Sequence, residues 1–129
     1  MKLSKDDLKV VSFPDTEVTS MEVDLANSTL SIKCLDGLLA RTTGNKCIED
    51  VVIRIENFDS ITAEEYIEQT TQVKPDNDEY FLKDICEFLI EDNKIILKGF
   101  SQKRGYWSEY HVVGGNLVVS YAKETLPFT

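Results

Sequence analysis

The sequence predicts a mainly β, antiparallel domain: a two-sheet sandwich or partly open barrel of eight or nine strands, with one short helix. Three observations point there. Apolar residues alternate with polar ones at a period of two in several separate stretches. Turn-forming residues fall between those stretches at short intervals. Opposite charges land across from each other when the stretches are folded into hairpins.

The elements follow in chain order. Leu8 to Phe13 is a short apolar run closed by Pro14, which suits a strand ended by a turn. Met21, Val23 and Leu25 alternate with acids, and Leu30, Ile32 and Cys34 alternate with Ser31 and Lys33. A loop over Ala26-Asn27-Ser28-Thr29 pairs Leu25 with Leu30, Val23 with Ile32, and Glu22 with Lys33. Asp36-Gly37 signals a second turn, and Thr43-Gly44-Asn45 a third. Val51, Ile53 and Ile55 then mark a half-buried strand.

Thr62-Ala63-Glu64-Glu65 fits a capping box, with Ile61 and Tyr66 at the staple positions. This predicts the one helix near residues 63–70, stopped by Thr70, Thr71 and Pro75. Asp76 to Glu79 is a polar loop. From residue 86 to 123 a four-stranded meander is expected. Asp92-Asn93 sets Glu91 opposite Lys94 and Glu87 opposite Lys98. The loop Gln102 to Gly105 sets Phe100 opposite Trp107 and Lys98 opposite Glu109. Gly114-Gly115 turns the chain again and places Val112 by Leu117 and Tyr110 by Val119. Slippage by one residue would undo all three ion pairs together.

The chain has 129 residues, 23 acidic and 14 basic, for a net charge of −9, and is 42% hydrophobic. That length suits a single domain over 1–129. The acidic balance argues against nucleic acid, and the longest apolar runs are too short for a membrane span. Cys34, Cys47 and Cys86 are odd in number and lack zinc spacing, so they read as small buried apolar groups. Met1 is followed by charged residues and no apolar leader, so a cytoplasmic protein is expected.

The one histidine, His111, sits mid-strand and reads as a partner-bonded side chain rather than a general base, so a protein that is not an enzyme is expected; a polar cleft holding His111 with a carboxylate within hydrogen-bond reach would point to an enzyme instead. No phosphate loop is present. Asp76-Asn77-Asp78-Glu79 lacks the EF-hand glycine and distal Glu. No cofactor or metal is expected.

Charge is unevenly placed. Residues 49–92 carry a net −11, while 93–129 carry +3. Most of those acids keep a surface solvated. Gathered on one side, they would also steer a basic partner. The meander's outer face mixes Glu87, Lys98, Glu109 and His111 with Phe100 and Trp107. Its apolar part is either covered by another element or left as a recognition patch. The expected partner-binding residues are Glu64, Glu65, Asp76, Asp78 and Glu79 for steering, and Phe100, Tyr106 and Trp107 as anchors.

The stretches Leu82-Lys83-Asp84-Ile85-Cys86, Leu97-Lys98-Gly99-Phe100 and Gly105-Tyr106-Trp107-Ser108-Glu109-Tyr110 resemble the C-terminal part of small acidic bacterial immunity proteins of contact-dependent or polymorphic toxin systems. The resemblance covers about residues 50–122. It implies a cytoplasmic, non-enzymatic inhibitor of one cognate toxin; the charge reading adds that the toxin surface is basic, and a monomer or weak homodimer is expected. The rival reading is a small apolar-ligand-binding barrel lined by Phe88, Leu97, Tyr110 and Tyr121.

Overall fold

A computed structural model describes residues 1–41, 44–67, 70–73, 81–102 and 105–126. The described chain is almost entirely antiparallel strand, as the alternating pattern requires. A one-turn helix, α1 (Lys5–Leu8), opens it, capped by the Ser4 side chain, which accepts from the Asp7 N–H. Ten strands follow: β1 (Val11–Ser12), β2 (Thr16–Asp24), β3 (Thr29–Arg41), β4 (Gly44–Ile67), β5 (Thr70–Val73), β6 (Asp84–Ile85), β7 (Glu87–Glu91), β8 (Lys94–Phe100), β9 (Trp107–Ser120) and β10 (Lys123–Thr125).

They form one sheet in the order β6-β2-β3-β4-β9-β8-β7, with β1 on β3 and both β5 and β10 on β4. Among the described residues no ladder closes this path into a complete barrel. Its two ends, β6 and β7, are nevertheless consecutive in the chain, so the sheet curls back towards itself. β6 pairs with β2 through Thr16–Ile85 and Glu17–Asp84. On its other side the same segment meets β8. The Lys83 N–H donates to the Phe100 carbonyl at 2.8 Å and the Cys86 N–H to that of Lys98 at 2.7 Å. The Phe100 N–H donates to Asp84 Oδ1 at 2.9 Å. Gly99 makes this approach possible, because a Cβ there would run into the Asp84 carbonyl.

Inside the curl lies one continuous core. Leu30, Ile32, Leu39, Ile48, Ile53, Ile55, Leu97, Tyr110, Val112 and Val119 are fully buried. Phe13 packs edge-on to Phe88 at 5.1 Å between ring centres. Burial of such side chains is the main stabilising term, each contributing roughly 1.5–3 kcal/mol before entropy.

The hairpin of β7 and β8 and its junction with β9 have the register expected from sequence: Glu87–Lys98, Glu91–Lys94, Lys98–Glu109 and Phe100–Trp107 all face each other. Elsewhere five expectations need correction. Leu8 to Phe13 is strand only at Val11–Ser12, because Leu8 closes α1 and the Lys9 and Val10 N–H groups donate back to Asp6 and Asp7. The predicted helix over 63–70 is strand up to Ile67, the end of β4. Ile61, Ala63 and Glu65 point inward, while Thr62, Glu64 and Tyr66 pair across to β9. Cross-strand hydrogen bonds satisfy that backbone, whereas a helix of eight residues is marginal alone. Gly114-Gly115 is not a hairpin turn. β9 runs through it, with φ of +75° and +89°, and both glycines press against β4 at Asp59 and at the Glu56 carbonyl. The meander therefore has three strands. Asp36-Gly37 also lies within a continuous strand, β3, where the Phe13 ring packs on Gly37.

The β2–β3 pairing keeps the expected faces but is displaced by two residues: Val23 faces Leu30, Met21 faces Ile32 and Glu22 faces Ser31. The loop is Leu25 to Ser28. Asp24 caps it by accepting from the Asn27 N–H and side-chain amide, and Ser28 takes a φ of +53°.

Candidate functional site

The register of β4, β9, β8 and β7 lays out the sheet's outer face as rows running across the strands. One row is Thr62, His111, Ile96 and Leu89. The next is Glu64, Glu109, Lys98 and Glu87. The third is Tyr66, Trp107 and Phe100. Alternation places these side chains together because each lies two residues from the next along its own strand.

The middle row holds most of the charge. Glu64 and Glu109 stand directly opposite each other on adjacent strands, both half-buried. Glu109 gathers three donors. His111 Nε2 lies 3.3 Å from its Oε1, Trp107 Nε1 donates to its Oε2 at 3.3 Å, and Lys98 Nζ is 4.0 Å from Oε1. Glu64 Oε2 accepts from the Tyr66 hydroxyl at 2.9 Å. The ring of Phe100 stands edge-on to Trp107 at 5.4 Å, and the Lys83 ammonium lies 5.9 Å from the Phe100 ring centre. Two carboxylates, an imidazole and three aromatic side chains thus share one patch, half-buried except at Phe100.

Ligand atoms of Glu64, Glu109 and His111 all lie within 4.8 Å of one another. This donor set suits a cation. Three such groups fall one short of a closed structural zinc site and equal the number of protein ligands in an open one. A guanidinium or ammonium from another molecule would answer the same negative field by hydrogen bonds to the carboxylates.

Most of the expected anchors are here. Phe100 is 38% exposed, and Trp107 is half-buried between it and Glu109, whereas Tyr106, 39% exposed, precedes β9 and belongs to none of the three rows. Glu64 belongs to the patch. Glu65 does not. It is completely buried, with Ser101 Oγ 3.5 Å from its Oε1, so it is no surface steering charge. The inward turn follows from β4 continuing as a strand, which sends adjacent residues to opposite faces. Asp76, Asp78 and Glu79 lie outside the described residues.

The juxtaposition of Glu64 with Glu109 and His111 was not expected from sequence. The signal was present in the alternation from Ile61 to Tyr66, but the capping-box pattern masked it. His111 holds a carboxylate on the outer face, within hydrogen-bond reach.

The residues expected to line an interior ligand cavity are mostly packed. Tyr110 and Leu97 are fully buried in the core. Phe88 lines a groove of about 650 Å³ at the edge of the sheet, beside α1. The three cysteines are free thiols. Burial pushes the Cys34 thiol up to about 12, with the Asp36 charge adding to it. Desolvation first, then the Asp15 and Asp84 carboxylates, does the same to Cys86, also to about 12.

No helix among the described residues is long and apolar enough to cross a membrane. The chain matches no family model, no curated protein and no solved structure.

Proposed function

We propose that the protein is a non-enzymatic binding protein that docks a basic protein partner on the outer face of β4, β8 and β9. The carrying observation is the Glu64–Glu109 pair, two carboxylates facing each other beside Trp107 and Tyr66. Like charges directly opposite on adjacent strands are unfavourable. An arginine of a partner, inserted between them, would relieve that repulsion with charge-assisted hydrogen bonds and lie against the indole. Phe100 and Tyr106 add apolar contact at the margin, in the manner of aromatic anchors at protein interfaces.

The action in this reading is occlusion, with no bond made or broken. An immunity protein that covers a basic toxin domain in the cytoplasm is the most concrete form of it, consistent with the acidic charge and the resemblance noted above. The test is capture of the partner from the native cell on immobilised protein, followed by binding kinetics. A basic protein should bind the native chain and be lost with Glu64→Gln/Glu109→Gln and with Trp107→Ala. The alanine variant should lose at least about 2 kcal/mol of binding, roughly thirtyfold in Kd. Retention of the partner by both variants at full affinity would overturn the assignment.

A further inference from the structure

The two ends of the sheet path differ. β6 is hydrogen-bonded on both sides, to β2 and to the end of β8. β7 pairs with β8 alone, and among the described residues no other backbone hydrogen bond reaches 87–91. Such an edge offers a row of unpaired N–H and C=O groups to another chain.

The middle of this edge is apolar and open. Leu89 is 40% exposed on the outer face and Ile90 47% on the inner one. The groove of about 650 Å³ runs along the inner side, lined by Leu8, Val11, Phe88, Ile90, Ile95 and Leu117. Its far wall is α1 and β1. The lane between β7 and that wall has the chemistry of the next strand position in a sheet: main-chain partners on one side, apolar side chains beneath.

We infer that the β7 edge takes an extended peptide segment of a partner as an added strand, with basic residues opposite Glu87 and Glu91 and apolar residues between them. Charge selects this occupant. Glu87 and Glu91 face Lys98 and Lys94 across β8, yet neither carboxylate is held in an ion pair among the described residues. Lys98 instead leans toward Glu109. The free side of β7 therefore asks for the pattern that β8 already presents, Lys94-Ile95-Ile96-Leu97-Lys98. A second copy of this chain fits poorly. Full edge-to-edge pairing about Leu89 would set Glu87 against the same Glu91 of the copy, and like charges opposite each other repel. Lys5 and Lys9 stand on the α1 rim of the groove. They do not oppose the assignment, because the basic residues of the added strand sit on the outer face and its groove-facing side chains are apolar. Strand addition draws affinity from main-chain hydrogen bonds and specificity from alternate side chains. The inference stands on the edge and the groove, and does not rest on the outer-face patch.

The test is a titration of the isotopically labelled full chain with an end-blocked Lys-Ile-Ile-Leu-Lys peptide, read by amide shifts and hydrogen exchange. Shifts are expected at 87–91 and at Leu8, Val11 and Leu117, with slowed exchange along β7. A Glu-Ile-Ile-Leu-Glu peptide, and one methylated on its three central backbone nitrogens, should each bind at least tenfold more weakly. Ile90→Lys, at an exposed position that should leave the fold intact by circular dichroism, should abolish binding. Equal binding of the methylated peptide would overturn the inference, as would shifts confined to Phe100 and Trp107 or full affinity in Ile90→Lys. So would concentration-dependent self-association that protects 87–91 without peptide, or dodecanoate taking the groove while those amides stay unprotected.

Discussion

Trp107 shows how much a single position can disclose before any fold is known. Its pairing with Phe100 was legible in the sequence because one loop separates the two strands, so the register is local. Its neighbour Glu64 was not legible there. That carboxylate arrives from β4, and the β4–β9 register is set by core packing over a long stretch of chain. Glu65 was misread for the same reason: only the fold tells which of two adjacent glutamates turns inward. The cysteines allow a direct check at this scale. Thiolate is the reactive form, and both Cys34 and Cys86 are pushed up to about 12. At pH 8, iodoacetamide should modify these two at well under a tenth of the rate of a free thiol, in the native chain only. Rapid native labelling at either site, mapped by peptide mass, would contradict their placement.

Two elements lend themselves to similar tests. Gly99 seats β6 against β8, and a methyl there meets the Asp84 backbone. Gly99→Ala should cost about 1–3 kcal/mol in urea unfolding, the usual price of overpacking. An unchanged midpoint would mean that the seam is looser than described. At the other end of the molecule Arg41, closing β3, joins α1 to β10. Its Nε and one terminal nitrogen each donate to Asp7 at 3.1 Å, and the other donates to Glu124 at 2.7 Å. These hydrogen bonds hold the Asp7 carboxyl below the usual carboxylate range. Because the folded value lies below the unfolded one, the tie is fully stabilising above about pH 4 and is lost as pH falls through the folded value. Protection of the amides at 5–8 and 123–125, measured relative to the intrinsic exchange rate at each pH, should fall in that acidic window and stay flat between pH 5 and 8. In Arg41→Met the same amides should exchange faster even at neutral pH. The β7–β8 and β8–β9 pairings were legible because their turns are local, whereas the β2–β3 register was two residues out and Gly114-Gly115 proved to be mid-strand. The strand that replaced the expected helix was not legible, since Thr62-Ala63-Glu64-Glu65 satisfies a helix cap in isolation and yields only to pairing with distant β9.

At the scale of the whole molecule, the mainly β class was legible from period-two alternation alone, which depends on no register. The route of the sheet was not. A sandwich and a curled single sheet share the same alternation, and which strands neighbour β4 is decided by contacts far apart in sequence. Net charge acts at this scale too. The acids of residues 49–92 give the chain its negative field, and such a field chiefly raises association rate. Reversing Asp76, Asp78 and Glu79 to lysine should slow association with the proposed basic partner about tenfold or more at low salt and flatten its salt dependence, leaving dissociation nearly unchanged. Stopped-flow kinetics across a salt series would show it, and unaltered on-rates would remove the steering role.

The length of β4 has a further consequence. Its first half is paired by β3 along one edge, and its second half waits for β9 on the other. If strands pair in the order in which they are made, β1 to β5 come together first, and the apolar side of the second half of β4 has nothing to lie against until β8 and β9 follow. The nascent chain is most vulnerable to aggregation and to proteases in that interval, and a chaperone that engages it should do so there, before the tryptophan has left the exit tunnel.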